Sequence, residues 1–91
     1  MQAKIKKQVR QALLRGPADS VTIKRDDSIV VKRGYFYRHT QTVEGFAMRC
    51  QAALKDAGIE THIEKKSDHW NVWPRDSWFE ATLRLASWGV A

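Results

Sequence analysis

The chain has 91 residues, a net charge of +6, a pI near 9.8 and one cysteine. That length holds a single domain and leaves no room for a second core. The lone thiol of Cys50 excludes an internal disulfide framework, and no run approaches the ~18 consecutive apolar residues of a membrane span. A chain of this size buries roughly 60–65% of its unfolded surface, so each large tryptophan ring matters to the core. The positive balance favours polyanionic partners, although charge also simply keeps a small domain soluble. Met1 to Lys7 carries lysines but no apolar stretch of a signal peptide. The expected compartment is the cytoplasm.

The first segment, Gln2 to Arg15, reads as a helix, with Ile5, Val9, Ala12 and Leu13 on one stripe and Gly16-Pro17 as its stop. Its remaining surface carries Lys4, Lys6, Lys7, Arg10 and Arg15 without an acid. Nearly all of the net charge sits here. Unopposed cations on a helix displace the counterions condensed on a nucleic-acid backbone, or else form an ordinary solvated face.

Val21 to Arg25 reads as a short strand, and Asp26-Asp27-Ser28 is turn chemistry. A second strand is expected from Ile29 to about His39, β-branched at first and aromatic later, with a bulge near Gly34. Its stretch Lys32-Arg33-Gly34-Tyr35-Phe36-Tyr37-Arg38 interleaves cations with rings. On a strand, rings stack bases while charges hold the backbone; the bland alternative is that Tyr35 to Tyr37 only pack. Arg33-Gly34-Tyr35 is similar to the opening of the RNP1 motif of RNA-recognition domains. Phe36, Arg38 and Thr40 depart from that motif, and the fold's first strand has no counterpart before the N-terminal helix.

A central helix follows, capped by Thr40 or Thr42 and ended by Gly58. Val43, Phe46, Ala47, Cys50, Ala53, Leu54 and Ala57 share its apolar face. Cys50 therefore reads as a small buried hydrophobe. A hairpin is expected next, Ile59 to Glu64 and His69 to Trp73, joined by Lys65-Lys66-Ser67-Asp68. That register sets Ile63 opposite Trp70 and Thr61 opposite Val72 inside, with Glu64 meeting His69 and His62 meeting Asn71 outside. Two imidazoles and a carboxylate gathered there are a weak metal or proton-transfer candidate. Pro74 closes the strand. Ser77 to Glu80 has capping-box spacing for a last helix, to about Trp88, apolar on two stripes.

The expected fold is α+β, α-β-β-α-β-β-α, with a four-stranded antiparallel-rich sheet, helices packed on it, and the fourth strand between the second and third or sequentially adjacent. No nucleophile has an activating partner, and the scattered glycines make no phosphate loop. The reading is a non-enzymatic protein without metal or cofactor. Its expected partner is nucleic acid or a nucleoprotein, met through Lys4, Lys6, Lys7, Arg10, Arg15, Lys32, Arg33, Tyr35, Tyr37 and Arg38. The alternative is a protein-binding module or a homodimer using Trp78 and Trp88 of the last helix. Its size, charge and aromatic content also permit an inhibitor of a nucleoprotein machine of the phage or mobile-element type, anti-CRISPR proteins among them, although no motif points to that group.

Overall fold

The computed structural model describes residues 2–37 and 39–85. In chain order these form helix α1 (Ala3–Arg15), strands β1 (Ala18–Ile23) and β2 (Ser28–Arg33), a 3-10 turn (Tyr35–Tyr37), helix α2 (Val43–Asp56), strand β3 (Thr61–His69), a second 3-10 turn (Pro74–Asp76) and strand β4 (Trp78–Leu85). The four strands make one sheet in the order β1-β2-β4-β3, each neighbouring pair antiparallel. The last strand in sequence therefore separates the second from the third, which run parallel to each other on either side of it.

Both helices lie on one face of the sheet. Ile5, Val9 and Leu13 of α1 and Val43, Phe46, Cys50 and Leu54 of α2 join Val21, Ile29, Val31, Phe79, Ala81 and Leu83 in one buried cluster. Phe46 meets Phe79 edge-on at 5.5 Å between ring centroids, a favoured aromatic geometry. The alternate strand positions, Ser20, Thr22, Val30, Lys32, Trp78, Glu80 and Thr82, share the opposite face, and no described element covers it.

Local chemistry sets the boundaries. The Thr42 hydroxyl accepts the Gly45 amide at 3.0 Å and starts α2. At its other end the Gly58 amide reaches the Lys55 carbonyl (2.9 Å) and the Ile59 amide the Leu54 carbonyl (2.8 Å). This is a Schellman stop, with Gly58 at φ +82° and the buried Ile59 and Leu54 as its apolar pair. In the β1–β2 turn the Asp26 carboxylate accepts the Ser28 amide (3.1 Å) and hydroxyl (2.5 Å). Those two bonds hold the Asp26 pKa below the usual carboxylate range.

Three expectations are corrected. Residues 78–85 are strand β4, not a helix. Phe79, Ala81 and Leu83 point into the core, whereas Trp78, Glu80 and Thr82 are half-buried on the other face. A central strand has partial cover on both faces, so its apolar positions fit period 3.6 as well as period 2. With residues 78–85 in a strand, the two helical stripes do not form there; Trp88 lies outside the described residues.

The expected hairpin is also absent. Lys65-Lys66-Ser67-Asp68 continues β3 as an edge strand, with a bulge between Lys65 and Ser67. Its charges suit an edge that must not pair with another chain, and they gave the segment the look of a loop. Ile63 consequently faces Leu83, Thr61 faces Leu85, Glu64 faces Thr82, and His62 faces Arg84.

Finally, β2 stops at Arg33 and does not run to His39. The bulge lies in β1, between Ala18 and Ser20. Gly34 instead brings its amide to the Pro17 carbonyl at 2.9 Å. A Cβ at Gly34 would sit 3.0 Å from that oxygen, so the position admits only glycine without displacement.

Candidate nucleic-acid interface

The end of the sheet where β2 finishes is built around Arg33. Its side chain is 2% exposed, and no acid pairs with it among the described residues. Its guanidinium donates to the carbonyls of Thr40, Asn71 (2.8 Å) and Val72 (3.3 Å) and to the Ser77 hydroxyl (3.1 Å). It also lies over the Trp70 ring, 4.2 Å from the centroid, a cation–π contact. Burial pulls its pKa below the ordinary guanidinium value, but an arginine stays charged in proteins. Ser77, read from sequence as a helix cap, is the second half of this knot. Its oxygen accepts the Asn71 amide at 3.0 Å, and its proton has the Asn71 carbonyl at 3.0 Å and the Trp73 carbonyl at 3.3 Å.

The knot ties two loops, residues 34–41 and 70–77, against the ends of β2 and β4. The loops then carry large apolar side chains outward: Tyr35 is 62% exposed, Phe36 85%, Val72 88% and Trp73 71%. Between them opens a cleft of about 600 Å³ walled by Asp19, Lys32, Arg33, Tyr35, Trp73 and Arg75. Three of those six residues are cations, one is an acid and two are exposed rings. A volume in this range is typical of ligand sites.

From Lys32 the surface continues onto the uncovered sheet face. Ser20, Lys32, Trp78 and His69 are successive cross-strand partners over all four strands, and the His69 and Trp78 rings stack at 6.2 Å. Farther along this face the charges answer one another. Lys24 pairs with Glu80 (3.0 Å), Lys66 with Glu80 and Asp26 (each 3.7 Å), and Arg84 with Glu64 (3.2 Å). Among the described residues, Lys32, beside the cleft, makes no ion pair.

The structure divides the residues singled out in the sequence. Lys32 and Tyr35 wall the cleft, and Trp78 stands beside Lys32. Arg33 is withdrawn into the interior. Tyr37 is half-buried in the 3-10 turn, with the Arg49 guanidinium 5.7 Å from its ring. Arg38 lies outside the described residues. Because residues 35–37 form a 3-10 turn and Arg33 is buried, the likeness to an RNP1 strand does not extend to the structure. Lys4, Lys7, Arg10 and Arg15 are exposed on α1 and Lys6 half-exposed; among the described residues none of them makes an ion pair. They belong to the helical layer, on the other side of the sheet from Trp78.

The expected His62, Glu64 and His69 cluster does not assemble. Glu64 is engaged by Arg84, His69 lies at the far end of β3 against Trp78, and the described residues contain no group of three metal ligands. Cys50 is fully buried, and burial pushes its thiol up to about 12, far from a reactive thiolate. No described helix is long and apolar enough to cross a membrane.

Sequence reasoning named Phe36 only as part of the Lys32 to Arg38 stretch, and missed Val72, Trp73 and Arg75. A signal was present: Val72-Trp73-Pro74-Arg75-Asp76 sets two large apolar residues against turn-forming Pro74 and Asp76, which argues for a surface turn over a buried strand. Comparisons with protein-family models, with curated proteins and with solved structures gave no match.

Proposed function

We propose that this protein binds single-stranded nucleic acid, free or within a nucleoprotein, and does so without catalysis. The observation that carries the reading is the cleft in which exposed Tyr35 and Trp73 rings stand with Lys32 and Arg75. Rings of this kind stack any base, each worth about 1–3 kcal/mol, while neighbouring cations hold the phosphates. Lys32 leads from the cleft to Trp78 and His69, a further ring pair on an open sheet face. The cations of α1 form a second, shapeless source of backbone attraction.

The test is fluorescence polarisation of labelled single- and double-stranded RNA and DNA across a salt series. Single strands are expected to bind more tightly, with affinity falling steeply as salt rises. Absence of binding at low salt defeats the reading.

A second reading rests on the exposure of Phe36 and Val72, which offer nothing to a phosphate. With Tyr35 and Trp73 they form an apolar patch of the kind that anchors protein partners. In this reading the protein is an interaction module or an inhibitor acting on a nucleoprotein machine. Phe36→Ser separates the two, because nucleic-acid affinity would survive that change and protein docking would not.

A further inference from the structure

Arg33 also walls a second cavity, of about 430 Å³. Its chemistry differs from that of the cleft. No acid or lysine lines it, and both Nη atoms of Arg33 are committed to carbonyls and to Ser77, while its buried Nε has no partner among the described residues. The rest of its wall is the Thr40 hydroxyl, the Gln41 and Asn71 amides, the rings of His39 and Trp70, and Val72. Thr40 is 8% exposed, and its Oγ1 is buried without a hydrogen-bond partner. A buried hydroxyl left unpaired is costly, and this one borders a cavity. The amide of Gln41 has no partner among the described residues. That of Asn71 is anchored, its Nδ2 lying 3.2 Å from His69 Nε2.

Hydrogen-bonding amides and a hydroxyl set beside ring surface, with no lysine among them, match the edge of a nucleobase better than a phosphate. The loop that carries Val72 in this cavity carries Trp73 in the cleft, so both open on the same end of the molecule. We propose that this cavity receives a base of the strand whose backbone and neighbouring base occupy the cleft, and that Thr40, Gln41 and Asn71 read its edge. The inference rests on the single-strand binding proposed above. It adds that binding discriminates between bases.

The experiment uses labelled oligo(U) ten-mers whose central three positions are U, A, C or G, so that charge and length are constant. The native protein is expected to favour one of the four by roughly 5- to 150-fold, the discrimination given by a good bidentate contact. Gln41→Ala should bring the four affinities together while leaving their common salt dependence unchanged. Thr40→Val keeps the shape and removes the oxygen; it should reduce the preference without lowering the melting temperature, whereas a merely structural hydroxyl would lower it. Equal affinities in the native protein overturn base reading and leave strand binding standing. A preference that survives both substitutions places the reading elsewhere and also overturns the proposal. No binding of any strand at low salt overturns the parent reading itself.

Discussion

The two basic regions of this molecule differ in what surrounds their charge. On α1, the lysines and arginines stand on a solvated helix surface, and none of them walls the cleft or the second cavity. At the end of β2, fewer cations stand with two exposed rings around a cleft, held by a buried arginine that ties both loops. A polyanion meeting α1 finds attraction without shape, and meeting the cleft it finds both. Charge alone raises affinity for every polyanion, whereas rings set in a cleft separate single strands from duplexes. In the proposed function, α1 would act as a collector and the cleft as the selector.

The largest expected effect comes from removing the element that makes the cleft. Arg33→Ala should destabilise the fold by on the order of 3 kcal/mol, because several charge-assisted hydrogen bonds vanish and buried carbonyls lose their donor. For a domain this small that is a fall of roughly 12–24 °C in melting temperature, read by circular dichroism. Arg33→Lys should recover only part of it, since an ammonium cannot reproduce the planar fork. An Arg33→Ala protein as stable as the native one would show that the loops do not depend on the knot.

Next in size is Trp73→Ala, alone and with Tyr35→Ala. Both rings are mostly exposed, so the melting temperature should change little. Single-strand affinity should nevertheless fall roughly 5- to 150-fold for each base that loses its stacking partner. A loss of affinity for duplexes equal to that for single strands would erase the distinction between selector and collector.

Charge reversal of Lys4, Lys7 and Arg10 should act more gently and more evenly. Titrations over a salt series should show affinity for all strands reduced by a similar factor and a shallower salt slope, with relative preferences unchanged. If single strands alone were affected, α1 would have to be counted as part of the selector.

The smallest effects are expected in the scaffold that both regions share. Cys50, its thiol pushed to about 12 by burial, should resist a thiol reagent at pH 8 in the native protein and react fully once denatured. The carboxyl of Asp26 has a folded pKa below its ordinary value. Its contribution to stability is therefore present above the ordinary value near 3.8 and lost as pH falls through the lower, folded one. Asp26→Asn should flatten the acid limb of a pH–stability curve slightly, without effect at either basic region.

The sequence by itself determined α1, α2, the turn at Asp26 and the stop at Gly58. Each is written in neighbouring residues, as apolar spacing, a cap or a backbone conformation that glycine tolerates. It also determined the concentration of cations on α1, which follows once the helix is known. Only the tertiary structure decided that β3 runs through its polar centre, because an edge strand needs charge where a local reading sees a loop. Position decided β4 as well: between two strands, Phe79, Ala81 and Leu83 face the core while Trp78 gains partial cover, and the pattern of a helix becomes that of a central strand. Arg33 shows the point most plainly. In sequence it is one cation among several beside a row of rings, and its burial depends on carbonyls from residues 40, 71 and 72 and on the Ser77 hydroxyl. Such groups reach one point only when the sheet brings distant segments together, and so the cleft could not be read from any single stretch of the chain.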